Sequence, residues 1–447
     1  MEEGNILGRE KISSLLMKFS IPAIIGMVIN AFYNVVDRIF IGNAPDLGSD
    51  GLAGITIGFP IMLILLSIGI LFGVGGATLF SIRLGEGKVE EANRVLGNAF
   101  SLLLVSGILF LVLGQLFLGP VLRLFGASET VLPYAREYMR VIFFGAIFQM
   151  TSIGMNNFLR ADGKPKLAMI TMLVGAGTNI LLDPLFIFVF EMGMAGAALA
   201  TIIAQCISMS WILSYFLSHR TKHRIRLHNM KLRFDVAIQI ISLGLPGFLM
   251  QLSNSLLNVI LNKSLLAYGG DIAVSGMGII NSIQTILLMP IIGLNQGVQP
   301  IVSFNYGAKK FGRIKEAEKL AMIAATTIVV IGWIVTRLFP VEIVKLFNQE
   351  PALIEFGKFA IRAWFWGLPV IGFQFLAANF FQAVGRPKEA MVLTLTRQVI
   401  FLIPAIFIFS NLWGLNGLLY AAPFADGASA LITGIAFYYG IRSLKRY

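Results

Sequence analysis

The chain has 447 residues, of which 57% are hydrophobic and only 13% charged, with a formal net charge of +12. A soluble domain carries about twice that charged fraction, so the composition leaves little room for one. The Lys and Arg residues fall in short clusters between apolar runs, which argues against a nucleic-acid-binding face and for a membrane orientation signal.

A spanning helix needs about 20 mostly apolar residues. The runs that qualify are 19–42, 51–82, 95–118, 137–159, 167–190, 194–217, 238–267, 273–303, 318–340, 358–382, 391–410 and 416–440. The expected fold is therefore an all-α polytopic membrane protein of twelve transmembrane helices. Met1 to Lys18 lacks the basic n-region and small-residue cleavage site of a signal peptide, so the first run is expected to remain as a helix.

The first helix carries Asn30, Tyr33, Asn34 and Asp37 at i, i+3, i+4 and i+7, on one face. Pro22 precedes them, removes a backbone hydrogen bond and permits a bend. The second helix holds the cluster Gly73-Val-Gly75-Gly76, read as a packing face or hinge. In the fifth helix Asn179 and Asp183 share a face at i, i+4, followed by Pro184, and Thr201 of the sixth offers a further hydroxyl. Carboxylates inside the hydrocarbon cost roughly 2.5–3.5 kcal/mol each to insert, so Asp37 and Asp183 need a reason. A buried acid beside amides suits a held proton or a hard cation taking oxygen ligands. The one cysteine, Cys206, excludes an intrachain disulfide and a cysteine zinc site. His219, His223 and His228 share the basic loop after the sixth helix; no third ligand is evident for a metal, and a solvated loop is expected.

The seventh helix keeps a polar stripe that includes Gln251, Asn254 and Asn258, without a carboxylate. With Gln284 in the eighth and Gln374 in the tenth, these side chains are candidates for a polar cavity lining. Arg397 of the eleventh helix and Asp426 of the twelfth are further ionisable candidates. Pairing would lower the cost of both, although their estimated depths differ by several ångströms, which argues against direct contact. Met and Phe number 18 and 36, types that suit adaptable surfaces and organic cations, although most must face lipid or pack helices.

The chain repeats itself. Residue n against n+222 aligns Asn157-Phe-Leu-Arg-Ala-Asp-Gly163-Lys-Pro165-Lys166 with Asn379-Phe-Phe-Gln-Ala-Val-Gly385-Arg-Pro387-Lys388, and Phe143-Phe144-Gly145 with Phe365-Trp366-Gly367. Each half holds six helices, so the repeat is parallel, with an axis along the membrane normal. The expected organisation is an N-lobe at 1–217, a cytoplasmic linker loop at 218–237 and a C-lobe at 238–447. Loops bearing Arg83, Lys88 and Arg94, then Arg160, Lys164 and Lys166, then Arg220 through Arg233 form a basic set, joined by Lys309 to Lys319, Arg386, Lys388 and the tail with Arg442, Lys445 and Arg446. The alternate connections, with Asp46, Asp50, Glu191 and Asp271, are short, acidic or neutral. The positive-inside rule then puts both termini in the cytoplasm.

Tyr33-Asn-Val-Val-Asp37, Asn179-Ile-Leu-Leu-Asp183-Pro184 and the Gly-Lys/Arg-Pro elements at 163–165 and 385–387 resemble the MATE family of multidrug and toxic compound extrusion transporters, in its MepA-like and DinF-like bacterial branches. The resemblance covers nearly the whole chain. It implies two lobes about a cleft, and antiport in which inward H⁺ or Na⁺ drives export of organic cations across the cell membrane. It also implies a coupling site at Asp37, Asn179, Asp183 and Thr201, with Pro22 as the bending proline. Some branches place acids in the seventh and tenth helices, where this chain offers Gln251, Asn254 and Gln374, which puts a C-lobe coupling site in doubt. No cofactor beyond the coupling ion, no ATP, and a monomer in lipid are expected. The rivals are a lipid-linked precursor flippase, which would want more cavity cations than Arg397; a membrane enzyme, for which no histidine lies in a helix; and a channel.

Overall fold

The computed structural model describes residues 6–42, 44, 47–219 and 221–444. Asp46, Arg220, Lys445 and Arg446 lie outside the described residues, as do the side chains of Asn34 and Asp50. Among the described residues the regular structure is entirely helical. In chain order come α1 (Ile12–Gly42), α2 (Gly48–Gly85), α3 (Val89–Leu124), and α4, made of Leu132–Phe144 and Ala146–Ala161 with a 56° bend between them. Then follow α5 (Pro165–Pro184, extended by a π-helical turn Leu185–Val189) and α6 (Gly193–Leu217). A helical stretch Phe234–Gly307 breaks at Gly270, giving α7 (234–269) and α8 (271–307). After α9 (Phe311–Leu338) comes α10, from Pro351–Trp364 and Leu368–Ala383. The last stretch, Pro387–Ser443, contains a π-helical turn Thr396–Leu402 and breaks at Gly414, giving α11 (387–413) and α12 (415–443). Gly270 and Gly414 have φ of 63° and 58°, a region closed to most side chains, so each break reverses the chain in a single residue. With each broken stretch counted as two and each bent pair as one, the described residues form twelve spans, the number expected.

The helices start earlier than the apolar runs. α3 begins at Val89 rather than 95, and α9 at Phe311 rather than 318, because Glu90, Glu91, Lys315 and Lys319 carry the helix beyond the hydrocarbon into water. Hydropathy registers the membrane; hydrogen bonding carries the helix past it. Pro165 and Pro387 open α5 and α11, where the missing N–H would have no helical partner. The preceding Gly163 and Gly385 both have positive φ, so the matching sequence elements make matching turns.

Val105, Ile108, Leu109, Val112 and Leu116 stand on one face of α3, each about half exposed or more. Water would penalise such a stripe, whereas lipid accepts it.

Two compact units emerge: Met1–Arg9 with Ile25–Phe248, and Glu10–Ile24 with Leu249–Tyr447. In the first, small residues let backbones touch, as membrane packing favours. Gly73 lies against Gly154, and Gly76 against Phe158. Gly75 meets the backbone of Ile240 and Gly244, and a Cβ on Gly244 would fall inside the Leu71 carbonyl. The glycine cluster of α2 is thus a packing face. In the second unit, Leu261 and Leu265 of α7, Met277 and Ile280 of α8, Trp364 and Leu368 of α10 and Leu418 of α12 form a closed apolar core.

The connection between α6 and α7 is not a solvated tether. Asn98 of α3 donates to the Asn229 carbonyl at 3.1 Å and accepts from the Arg233 N–H at 2.8 Å. The Ser101 hydroxyl donates to the Met230 carbonyl at 2.8 Å. His223, expected in water, is buried beside Asn93 Oδ1 (3.3 Å) and edge-on to Phe80. No group of three potential metal ligands exists among the described residues. Burial and Lys222 push the His223 pKa down. Asp162, after α4, accepts from the Tyr215 hydroxyl at 2.5 Å and from Thr221 at 3.4 Å. Arg160, counted among the loop charges, is likewise buried, donating to Asn157 Oδ1 (3.2 Å) and Met172 Sδ (3.6 Å).

This packing can be probed at two points. Gly244→Ala should destabilise the protein by about 1–3 kcal/mol through overpacking, whereas Gly427→Ala, with nothing within 4 Å of the added carbon, should not; thermal melting in detergent compares them. Burial raises the Asp162 pKa to about 6, against the lowering effects of Tyr215, Lys164 and Thr221. A carboxyl raised on folding favours the folded state below its unfolded pKa and loses that contribution as pH rises through the folded value. Asp162→Asn should therefore gain melting temperature over wild type as pH goes from 4 to 7, with little difference at pH 4.

Candidate functional site

In the first unit α5 supplies a polar pair one helical turn apart. Asn179 Nδ2 donates to Asp183 Oδ1 at 3.2 Å and to Thr201 Oγ1 of α6 at 3.4 Å. The Thr201 hydroxyl in turn donates to the Ala197 carbonyl at 3.2 Å. Asp183 is 0% exposed and Asn179 1%. Asp37 of α1 comes within electrostatic reach of Asp183. Asn179 Oδ1 and Asp183 Oδ2 receive no N–H or O–H donor from the described residues.

Tyr138 of α4 completes the arrangement. It is fully buried and placed within electrostatic reach of Asp37, Asp183 and Tyr33. The expected set of Asp37, Asn179, Asp183 and Thr201 thus comes together, with one side chain added. Tyr138 gave little signal, since the residue opposite it in the repeat is Ala360 and a tyrosine near a helix end reads as an interfacial anchor.

The remaining expected residues divide. Tyr33 lies with the acid pair, and Asn30 stands two turns before Asp37 on α1. α1 stays helical through Pro22. Gln251, Asn254, Asn258 and Gln374 lie in the second unit. Asn254 Nδ2 donates to Gln251 Oε1 at 3.3 Å, while exposed Asn258 folds back on the Asn254 carbonyl at 3.0 Å. Gln374 is buried, and its Oε1 has no donor among the described residues. Gln284 does not join them: its Oε1 accepts the Trp364 indole N–H at 2.9 Å, which ties α8 to α10. Arg397 and Asp426, expected at different depths, are in contact at 2.6 Å, because the long arginine stem spans the gap.

The MatE family profile matches residues 22–185 and 246–408, once in each half of the chain. The protein belongs to the MATE family. Multidrug export protein MepA of Staphylococcus aureus (strain MRSA252) is 29% identical over 425 residues, which cover 95% of this chain and 93% of MepA. The MATE multidrug transporter DinF-BH, whose structure was solved as a ligand complex, is 39% identical over 98% of both chains, with a TM-score of 0.91. An outward-facing MATE transporter of the MOP superfamily, 24% identical, superposes over 100% of both chains with a TM-score of 0.94, which establishes the shared fold. This MATE protein is accordingly a multi-span membrane transporter and not an enzyme.

Thr201 ties α6 to Asn179, the α5 partner of Asp183, and bonds the Ala197 carbonyl of its own helix. Thr201→Val keeps the volume and removes both bonds, so gradient-driven transport should fall about tenfold with the elution profile unchanged. A wild-type rate in reconstituted vesicles would reduce Thr201 to packing.

Proposed function

We propose that this protein is a multidrug exporter of the plasma membrane, expelling organic, mainly cationic compounds in exchange for inward protons. The observation that supports the reading is the approach of Asp37 of α1 to the buried Asp183 of α5, two acids near enough to interact, which suits one exchangeable proton shared between them. Adding a second proton removes the last negative charge and the reason for α1 to lean on α5. Pro22 gives α1 a place to bend, since one backbone hydrogen bond is already missing there. An organic cation held by this negative charge is released as the proton arrives, and the conformational step to the cytoplasmic side then discharges the proton. Each charge moved inward gains about 2.3 kcal/mol per 100 mV of membrane potential.

Sodium is the second reading, favoured by the unsatisfied oxygens Asn179 Oδ1 and Asp183 Oδ2, which with Thr201 Oγ1 offer the oxygen ligands a hard cation takes. The basic loops support cytoplasmic termini. MepA is named for multidrug export and DinF-BH is described as a multidrug transporter, which supports the substrate class.

Reconstituted into liposomes, the protein should export a cationic rhodamine dye under an imposed pH gradient and not under a sodium gradient alone. Asp37→Asn and Asp183→Asn should each lower the rate at least about a hundredfold, the effect of roughly 2.7 kcal/mol. Normal transport in both variants would refute the mechanism, and efflux driven by sodium alone would select the second reading.

A further inference from the structure

The first unit holds a charged cavity that the mechanism above leaves unused. It measures about 680 Å³ and opens between the end of α3, the start of α4 and the start of α6, lined by Arg123, Glu129, Arg136, Glu137, Arg140 and Ala195 among others. That volume falls within the roughly 300–1,000 Å³ of small-molecule sites. The cavity lies at the end of α3 opposite the basic loop of Arg83 and Lys88, where the orientation signal disfavours arginine. Snorkelling to water accounts for a single arginine at a helix end. It does not account for three around one cavity, or for Lys345, Lys358 and Arg362 at the three matching positions of the repeat.

The acids of the cavity leave two of its three cations over. Arg123 Nη2 pairs with Glu129 at 3.2 Å. Glu137 Oε1 accepts the Ala195 N–H, in the first turn of α6, at 3.0 Å. Arg136 and Arg140 stand one turn apart on α4, and their guanidinium groups have no acceptor among the described residues. Gly119 of α3 makes the room for Arg136, since an added Cβ would sit 2.8 Å from its Nη2. The arginine fork fits two oxygens of a phosphate. With both acids engaged, no carboxylate is spare for the ammonium of a zwitterionic headgroup. The adjoining surface is apolar: Leu116 and Phe117 of α3, and Phe144 one turn beyond Arg140 on α4, are each more than half exposed. A ligand that meets both features is anionic at one end and hydrocarbon at the other.

We propose that this cavity holds the headgroup phosphate of an anionic phospholipid, in the leaflet away from the basic loops. Arg136 and Arg140 take the phosphate oxygens, Glu129 keeps Arg123 at the rim, and the acyl chains lie on the exposed apolar surface of α3 and α4. Neither Arg136 nor Arg140 belongs to the acid site, and the test of binding needs no ion gradient, so the proposal stands or falls separately from transport.

Phosphatidylglycerol and phosphatidylcholine with the same photoreactive acyl chain provide the test, on the purified full chain in mixed micelles. After illumination and digestion, mass spectrometry reads the label on residues 113–144. Phosphatidylglycerol should label that segment of the wild type at least about tenfold more than phosphatidylcholine, and Arg136→Gln/Arg140→Gln should lose the excess. Arg140→Gln alone should lose part of it. Both positions are exposed, and unchanged labelling elsewhere on the chain certifies the fold. Lys315→Gln/Lys319→Gln, which removes the same charge at the basic end, should keep the wild-type excess. Equal labelling by the two lipids, an excess that survives in the arginine variants, or the same loss in the lysine variant would overturn the proposal. Loss of the excess on adding inorganic phosphate would assign the arginines to a free anion and overturn it as well.

Discussion

A carboxylate inside a membrane span costs several kilocalories unless something neutralises it, and the first unit places two against each other. Asp37 and Asp183 lie within electrostatic reach of each other. The surrounding groups follow from that contact. Asn179 donates to the acid, Thr201 receives from Asn179, and Tyr138 closes the set from α4. Four helices, α1, α4, α5 and α6, meet at one acidic centre.

The second unit meets the same constraint by other means. There Arg397 of α11 and Asp426 of α12 pair at 2.6 Å, so that each charge offsets the other. The first unit thus brings two acids together, and the second brings opposite charges together.

Close backbone approach positions both centres. Gly73, Gly75 and Gly244 let α2 lie directly on α4 and on the start of α7, and Gly293 lets α8 lie on the backbone at Ala23 and Ile24 of α1. Hydrophobic burial offers little to hold helices together in lipid, so this steric fit and the polar contacts carry the association. At the basic end the linker adds hydrogen bonds of its own, with Asn98 clasping it from both sides.

The sequence by itself determined the twelve spans, the doubled arrangement, the family and most of the acid site. Apolar length is dictated by the hydrocarbon thickness, and a charge in such a run is conspicuous because it is expensive. The pair Asn179 and Asp183 was legible from helical spacing alone, since i and i+4 share a face whatever the packing. Contacts between helices had no such local rule. Tyr138 reached the site only through the bend in α4, Arg397 met Asp426 because a long side chain bridges a difference in depth, and Gln284 went to Trp364 instead of a cavity. The linker's histidine and the buried Arg160 likewise read as surface charge until tertiary packing enclosed them. Hydropathy is a property of a segment and is written in it; which side chain faces which depends on helix rotation and crossing, set by the whole packed unit.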